Sequence, residues 1–104
     1  MLSIKPQIIM QNYTSFQEKL KPQIRIVQTG DQFKVIFVRL QKGAVLEKHT
    51  TSERTKIFVV KGTVEYRSLR EVKHINQMEE YIIPLNEIHE VTANGTAEFL
   101  LIQG

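Results

Sequence analysis

The segment GAVLEKHTTSERTKIFVVKG, from Gly43 to Gly62, decides the fold and sets limits on the function. Its later part, IFVV, is apolar on both faces of a strand, and the polar SERT before it is typical of a turn. The segment therefore predicts a strand, a turn and a second strand that is covered on both sides. Its histidine, His49, could belong to a metal site, to the remnant of one, or to an ordinary strand.

Short runs of alternating apolar and polar residues occur on both sides of this segment. Ile24–Gln28 and Phe33–Leu40 flank the turn sequence TGDQ, and this pattern predicts a β-hairpin. Ile88–Ala93 and Thr96–Ile102 flank Asn94-Gly95, a dipeptide that accepts the positive φ angles of a tight turn. We therefore expect a second hairpin there.

The remaining local signals also favour strands. Ser15–Leu20 has the capping pattern of a helix and is stopped by Pro22, but it is too short to organise a fold. Further runs rich in Val, Ile, Tyr and Phe lie at Lys56–Lys61, Thr63–Arg67 and Glu80–Ile83. Several short strands separated by turn residues predict an all-β domain, a sandwich or a barrel, with little helix.

Length and composition exclude several classes of protein. A chain of 104 residues accommodates one domain, and the absence of cysteine excludes disulfides, thiolate catalysis and cysteine-bound metals. The net charge of +3 comes from basic residues spread along the chain, so we expect no nucleic-acid partner. No apolar run reaches the ~20 residues of a membrane span. The N-terminus does not resemble a signal peptide. We therefore expect no membrane partner and a cytoplasmic location.

The spacing of glycine, histidine and proline resembles the two motifs of the cupin family. Gly43, His49 and Gly62 match the opening glycine, the first histidine and the closing glycine of the first motif. Pro84 and His89 match the proline and the histidine of the second motif. The resemblance implies a small single-domain, RmlC-like cupin, whose jelly-roll barrel is also called a double-stranded β-helix.

The second motif departs from the family pattern at its glycines. Met78 takes the place of the first glycine and Asn86 that of the second, and asparagine shares the tolerance of glycine for left-handed backbone. The resemblance still covers about Gln23 to Ile102. It implies a cupin barrel over residues 23–104, with residues 1–22 as an N-terminal segment that packs on the barrel or on a partner subunit.

The first motif departs from the pattern at its metal ligands. The four ligand positions of metal-binding cupins fall on His49, Thr51, Thr55 and His89, so two ligands are replaced by threonine. The two threonines should still point into the barrel, because steps of two and four residues keep one face of a strand. A neutral hydroxyl is a poor ligand for a divalent transition metal, and two imidazoles alone seldom hold one tightly. We therefore expect no tightly bound metal and interpret the site as a remnant.

A carboxylate from a nearby position could replace the lost ligands. Glu53 lies in the predicted turn, and Glu47 precedes His49 by two residues. Either one, with His49 and His89, would form a site for Zn, Mn, Fe or Ni. The third histidine, His74, is expected on a surface strand.

Two functions from different classes fit this pattern, and whether the chain is an enzyme stays open. In the first, a metal-free barrel mouth binds a small molecule such as a sugar or an organic acid, with weak acid–base chemistry open to its histidines. In the second, the chain is a metal-dependent sugar isomerase, epimerase or dioxygenase that uses His49, His89 and a displaced carboxylate. The predicted ligand-binding residues are His49, Thr51, Thr55, His89 and Tyr81, with Ile57, Val59 and Ile83 as further apolar wall.

The apolar residues on the outer face of the predicted strands indicate an assembly. Phe58 and Val60 lie on the face of their strand opposite Ile57 and Val59, and a contiguous apolar patch usually marks an interaction surface. We therefore expect a homodimer through this face. The N-terminal segment could cover the patch, on its own barrel or on its neighbour's, with its residues Ile8, Ile9, Met10 and Tyr13.

Overall fold

A computed structural model of the chain describes residues 21–49 and 51–104, with residues 47–49 described by their backbone alone. The predicted helix at Ser15–Leu20 and nearly all of the predicted N-terminal segment lie outside the described residues. Within the described ranges the chain is all-β, as predicted, and has no helix. Its strands are β1 (Gln23–Thr29), β2 (Lys34–Leu40), β3 (Val45–His49), β4 (Thr55–Lys61), β5 (Val64–Ser68), β6 (Val72–Ile75), β7 (Glu80–Ile83), β8 (His89–Ala93) and β9 (Ala97–Gln103).

The strands form two antiparallel sheets packed face to face. One has five strands in the order β1-β2-β9-β4-β7, and the other has four in the order β3-β8-β5-β6. Only β1–β2 and β5–β6 join neighbours within one sheet, and every other connection between described strands passes from one sheet to the other. This winding between two layers is the jelly roll that the strand pattern and the motifs predicted.

The core lies between the sheets and follows the alternation of the strands. On β4, Ile57 and Val59 are fully buried, whereas Phe58 is half-buried and Val60 is exposed. We expected both faces of this strand to be covered, but the described residues cover only its inner face completely. Each fully buried aliphatic side chain contributes about 1.5–3 kcal/mol, so the inner faces hold the sheets together. The buried apolar residues include Val38, Leu40, Val64, Tyr66, Val91, Ala97 and Phe99.

The first predicted hairpin is confirmed. β1 and β2 pair antiparallel, with a register shift between Ile26 and Gln28. The amide of Gly30 donates to the carbonyl of Phe33 at 2.8 Å and closes the turn. The TGDQ sequence therefore forms the turn of this hairpin, as its turn residues predicted.

The second predicted hairpin is wrong. β8 lies in the four-stranded sheet between β3 and β5, and β9 lies in the five-stranded sheet between β2 and β4. Neither Asn94 nor Gly95 has the positive φ angle expected for them. The physical reason is burial: Ala93 and Ala97, on either side of the turn, are both buried between the layers, in opposite sheets. The dipeptide carries the chain across the barrel instead of folding it back.

Left-handed backbone marks the glycine positions of both cupin motifs. Gly43 and Gly62 have φ angles of 88° and 81°, and Met78 and Asn86 have 68° and 60°. These are the two residues that replace glycine in the second motif, so the backbone keeps the motif's conformation where the sequence has lost the residue. A Cβ on Gly62 would lie 2.7 Å from the carbonyl oxygen of Thr96, which leaves no room for a side chain there.

The left-handed backbone at Met78 allows a test of its alignment with the first glycine of the second motif. Replacing Met78 by glycine should raise the free energy of unfolding by about 0.5–1 kcal/mol, because it removes left-handed strain of about 1–2 kcal/mol and keeps part of that gain after the added chain entropy. Met78 is 65% exposed, so little packing is lost. Gln77→Gly is the matched control. Gln77 has no left-handed strain to relieve, so its change to glycine should lower the free energy of unfolding. Urea unfolding measures the free energy of unfolding of both variants. A decrease in Met78→Gly would contradict the alignment of Met78 with a glycine of the motif.

Candidate functional site

A cavity of about 200 Å³ opens between the two sheets beside the loop that joins β3 and β4. Its apolar wall consists of Leu46, Ile83, Val91 and Leu101. Its polar lining consists of Thr51, Ser52, Glu53, Thr55, His89 and Gln103. The cavity thus combines an apolar wall with a few converging polar groups, which is the usual composition of a small-molecule site.

Both threonines at the lost ligand positions face this cavity. Thr51 and Thr55 are buried, which confirms that their side chains point into the barrel. The hydroxyl of Thr55 donates to the backbone carbonyl of Glu53 at 2.9 Å. The carbonyl of Thr51 accepts the amide of Asn86 at 2.8 Å, so the first motif is tied to the second.

His89 is the buried histidine of the cavity. It begins β8, is 1% exposed, and its Nδ1 lies 2.8 Å from the backbone carbonyl oxygen of Glu87. A carbonyl can only accept, so Nδ1 is the donor and carries a proton. In the neutral ring the lone pair then belongs to Nε2, which is buried. His49 occupies the position opposite His89 in the β3–β8 ladder, and its side chain lies outside the described part of the chain.

The other predicted site residues lie in different places. Tyr81 does not line the cavity: its hydroxyl donates to Glu71 Oε2 at 3.1 Å. Burial, followed by this bond to a carboxylate, raises the pKa of Tyr81 to about 12. Of the predicted apolar wall, Ile83 lines the cavity, whereas Ile57 and Val59 belong to the core.

His74 is on a surface strand, as predicted. It lies on β6 with an exposed side chain, and its Nε2 is 3.2 Å from Glu65 Oε1. Glu65 also accepts a bond from Arg67, and that bond is the main cause that lowers the pKa of the Glu65 carboxyl. His74 therefore belongs to a polar surface cluster around Glu65 and not to the cavity.

A polar cluster behind His89 was not anticipated from the sequence. The Tyr66 ring stacks on the His89 ring, with centroids 4.8 Å apart and planes at 24°. The Tyr66 hydroxyl donates to Glu87 Oε1 at 2.6 Å, and Arg70 Nε donates to Glu87 Oε2 at 2.7 Å. The bond from Tyr66, reinforced by Arg70, lowers the pKa of the Glu87 carboxyl, whereas burial, and then Glu87, raises the pKa of Tyr66.

One part of this cluster had a signal in the sequence. The two-residue period of the run Thr63–Arg67 places Tyr66 on the same face as Val64, which is buried. Its bond to Glu87 joins residues 21 positions apart across a reversal of the chain, and no local pattern indicates such a pair.

The residues of the cavity do not match the donor set of a cupin metal centre. Two of the four ligand positions hold threonine, and the hydroxyl of Thr55 is already bonded to the Glu53 carbonyl. Of the two carboxylates considered as replacements, Glu53 lines the cavity with His89, whereas the side chain of Glu47 is not described. Among the described residues no three His, Cys, Asp or Glu side chains come together.

Comparisons with known proteins give a match in structure but not in sequence. No protein-family model matches the chain, and no curated protein does. An RmlC-like cupin protein from Desulfovibrio desulfuricans superposes with a TM-score of 0.74 at 18% identity, covering 83% of this chain and 84% of its own. A cupin superfamily protein from Desulfitobacterium hafniense superposes with a TM-score of 0.73 at 12% identity, covering 79% of this chain and 75% of its own. A conserved protein of unknown function from Streptococcus pyogenes superposes with a TM-score of 0.72 at 15% identity, covering 82% of this chain and 75% of its own.

These matches confirm that the chain has the cupin jelly-roll fold. Because the sequence identities are so low, the matches show the fold of this chain and not an activity. Among the described residues there is no helix long and apolar enough to cross a membrane.

The lost ligand positions can be tested by restoring them. Thr51→His with Thr55→Glu should raise the affinity for Zn²⁺ by about 100-fold or more, because it returns two strong donors to positions that face the cavity. The matched control, Thr51→His with Thr55→Gln, has the same size without the carboxylate and should gain less. Zinc competition titration measures the affinities, and the rise in melting temperature with Zn²⁺ reports binding to the folded state. Equal affinities in the wild type and the double variant would mean that these are not the ligand positions.

Proposed function

We propose that this cupin-fold chain binds a small molecule in the cavity beside His89, without a tightly bound metal. The observation that carries the proposal is the burial of three polar side chains, Thr51, Thr55 and His89, at the wall of one cavity. Buried polar side chains are held by hydrogen bonds, as Thr55 is by the carbonyl of Glu53 and His89 by the carbonyl of Glu87. A cavity that gathers them next to an apolar wall suits an occupant with both hydroxyl groups and apolar surface.

The size of the cavity limits the ligand. A volume of about 200 Å³ equals that of about seven water molecules at ~30 Å³ each. This limits the ligand to a small molecule, such as a monosaccharide or a small organic acid.

The charge of the lining favours a neutral ligand over an anionic one. None of the described residues that line the cavity is a lysine or an arginine, and Glu53 adds a carboxylate. A carboxylate or phosphate ligand would normally be held by such a cation. Hydroxyl, amide, imidazole and carboxylate groups bond well to the hydroxyls of a sugar. We therefore favour a sugar or another neutral polyol over an organic acid.

A second candidate is the metal-dependent isomerase, epimerase or dioxygenase. It is favoured by one observation, that Glu53 lines the same cavity as His89. Elemental analysis of protein purified without chelators or affinity-tag metal separates the two candidates. Stoichiometric Zn, Mn, Fe or Ni that is lost in His89→Ala would favour this second function.

The binding proposal predicts that His89 controls affinity. A thermal-shift screen with monosaccharides, keto acids and nucleotide sugars should identify a ligand that raises the melting temperature. His89→Gln should weaken its binding about tenfold or more, because a buried polar partner is lost. The matched control is His74→Gln, which changes an exposed histidine on β6, at the edge of the same four-stranded sheet and outside the cavity, and should bind as the wild type does. No stabilising compound, or equal affinity in both variants, would count against the proposal.

We also propose that the outer face of the five-stranded sheet binds a second copy of this chain. The register aligns Phe37, Leu100 and Phe58 in one row across β2, β9 and β4, and places Val35 beside Ile102 in the next row. Ion pairs flank these rows on both sides, Arg39–Glu98 at one edge and Lys56–Glu80 at the other. Because each edge carries both charges, a two-fold partner can bring unlike charges together around the apolar rows.

A single charge in these rows should separate the dimer. Phe58→Asp should shift the mass measured by sedimentation from about twice 12.1 kDa to 12.1 kDa at micromolar concentration, because it buries an unpaired carboxylate in the interface. Val72→Asp is the matched control on the four-stranded sheet, where an exposed valine takes the same charge and should leave the mass unchanged. A wild-type mass of 12.1 kDa at all concentrations would indicate that the face is covered otherwise, for example by residues 1–20 of the same chain.

A further inference from the structure

Glu87 contacts His89 through its backbone and the rest of the cluster through its side chain. Its carbonyl oxygen accepts the Nδ1 proton of His89 at 2.8 Å. Its carboxylate oxygens accept one bond each, from Tyr66 at 2.6 Å and from Arg70 at 2.7 Å. One residue thus joins the histidine of the cavity to two donors that come from other parts of the chain.

The two donors hold Glu87 from elements outside its own loop. Tyr66 is fully buried on β5, and Arg70 lies in the turn between β5 and β6. Both bonds have a charged partner, and such bonds are shorter and stronger than neutral ones. Because each carboxylate oxygen is held by a different donor, the side chain cannot rotate without breaking a bond. The carbonyl of the same residue is therefore kept at a set position relative to the His89 ring.

Tyr66 also restricts the ring directly. Its ring stacks on the imidazole with centroids 4.8 Å apart and planes at 24°, so that a rotation of His89 about its side-chain bonds would disturb the stack. The Glu87 bond and the Tyr66 stack thus restrain the same ring in two different directions.

We propose that Glu87, Tyr66 and Arg70 are positioning residues that hold His89 in the tautomer with the proton on Nδ1 and the lone pair on Nε2. The importance of this tautomer for binding rests on the proposed function, because the tautomer decides which nitrogen of the ring donates and which accepts a hydrogen bond. The tautomer itself is a property of the protein without ligand.

The tautomer can be measured on the full chain without any ligand. Long-range proton–nitrogen correlation NMR of protein labelled at its histidine ring nitrogens distinguishes protonated from unprotonated nitrogens, at a pH where the rings are neutral. The His89 signals are assigned by their loss in His89→Gln, and those of the other histidines by His49→Gln and His74→Gln. The wild type should show a protonated Nδ1 and an unprotonated Nε2 at His89.

Two variants with matched controls test the positioning. Tyr66→Phe removes the bond to Glu87 but keeps the ring, and Arg70→Gln removes the second bond at an exposed site where folding is not at risk. In each, the second tautomer should rise to at least about a tenth of the molecules. Tyr81→Phe keeps the ring that packs on Tyr66 at 4.8 Å and removes a hydroxyl bonded to Glu71, and Arg67→Gln removes a guanidinium bonded to Glu65. Neither change removes a bond to Glu87, so both should give the wild-type spectrum.

A second tautomer in either test variant, absent from its control, supports the proposal. A wild-type proton on Nε2, or test variants that match the wild type, would overturn it. A change of equal size in the controls would also overturn it, because it would show a general loosening of the barrel. If the ligand screen finds nothing, the proposed function fails, and this measurement still decides the inference about His89.

Discussion

The left-handed backbone at four turns is the constraint on which the rest of the structure depends. Gly43, Gly62, Met78 and Asn86 lie in the connections β2–β3, β4–β5, β6–β7 and β7–β8. Each of these connections passes from one sheet to the other. A jelly roll requires many such crossings, and a left-handed residue lets the chain change direction within a few residues. Without these turns the alternating strands could pair as simple hairpins and would not close two layers over one core.

The sequence indicated this constraint better than it indicated the strand pairing. Met78 and Asn86 could be assigned to glycine positions because motif spacing survives when the residue changes, and the backbone has the conformation that this assignment requires. Asn94-Gly95 failed as a hairpin signal because a turn dipeptide reports that the chain reverses, and not which strands the flanking segments will pair with. That choice is made by burial: the inner faces of β8 and β9 belong to opposite layers, and local sequence carries no information about the layer.

The candidate site shows the same limit at the level of single residues. Thr51, Thr55 and His89 could be placed at one cavity from motif positions and the two-residue period, and the structure brings them together. Tyr66, Arg70 and Glu87 could not, since their contacts join β5, a turn and the loop before β8. The barrel forms with threonine at positions 51 and 55, because it is held by its apolar core and its turns. The residues that hold the fold are therefore different from those of the proposed binding site.

The loop before β8 is the place where the two sets of residues meet. Asn86 is left-handed, and its amide bonds to Thr51, a residue of the cavity wall. The next residue is Glu87, whose carbonyl holds the His89 ring and whose carboxylate is fixed by Tyr66. The backbone turn that carries the chain from β7 to β8 thus also sets the carbonyl that decides which nitrogen of His89 carries the proton. A side chain that requires extended backbone at position 86 would therefore alter the chemistry of the cavity as well as the path of the chain.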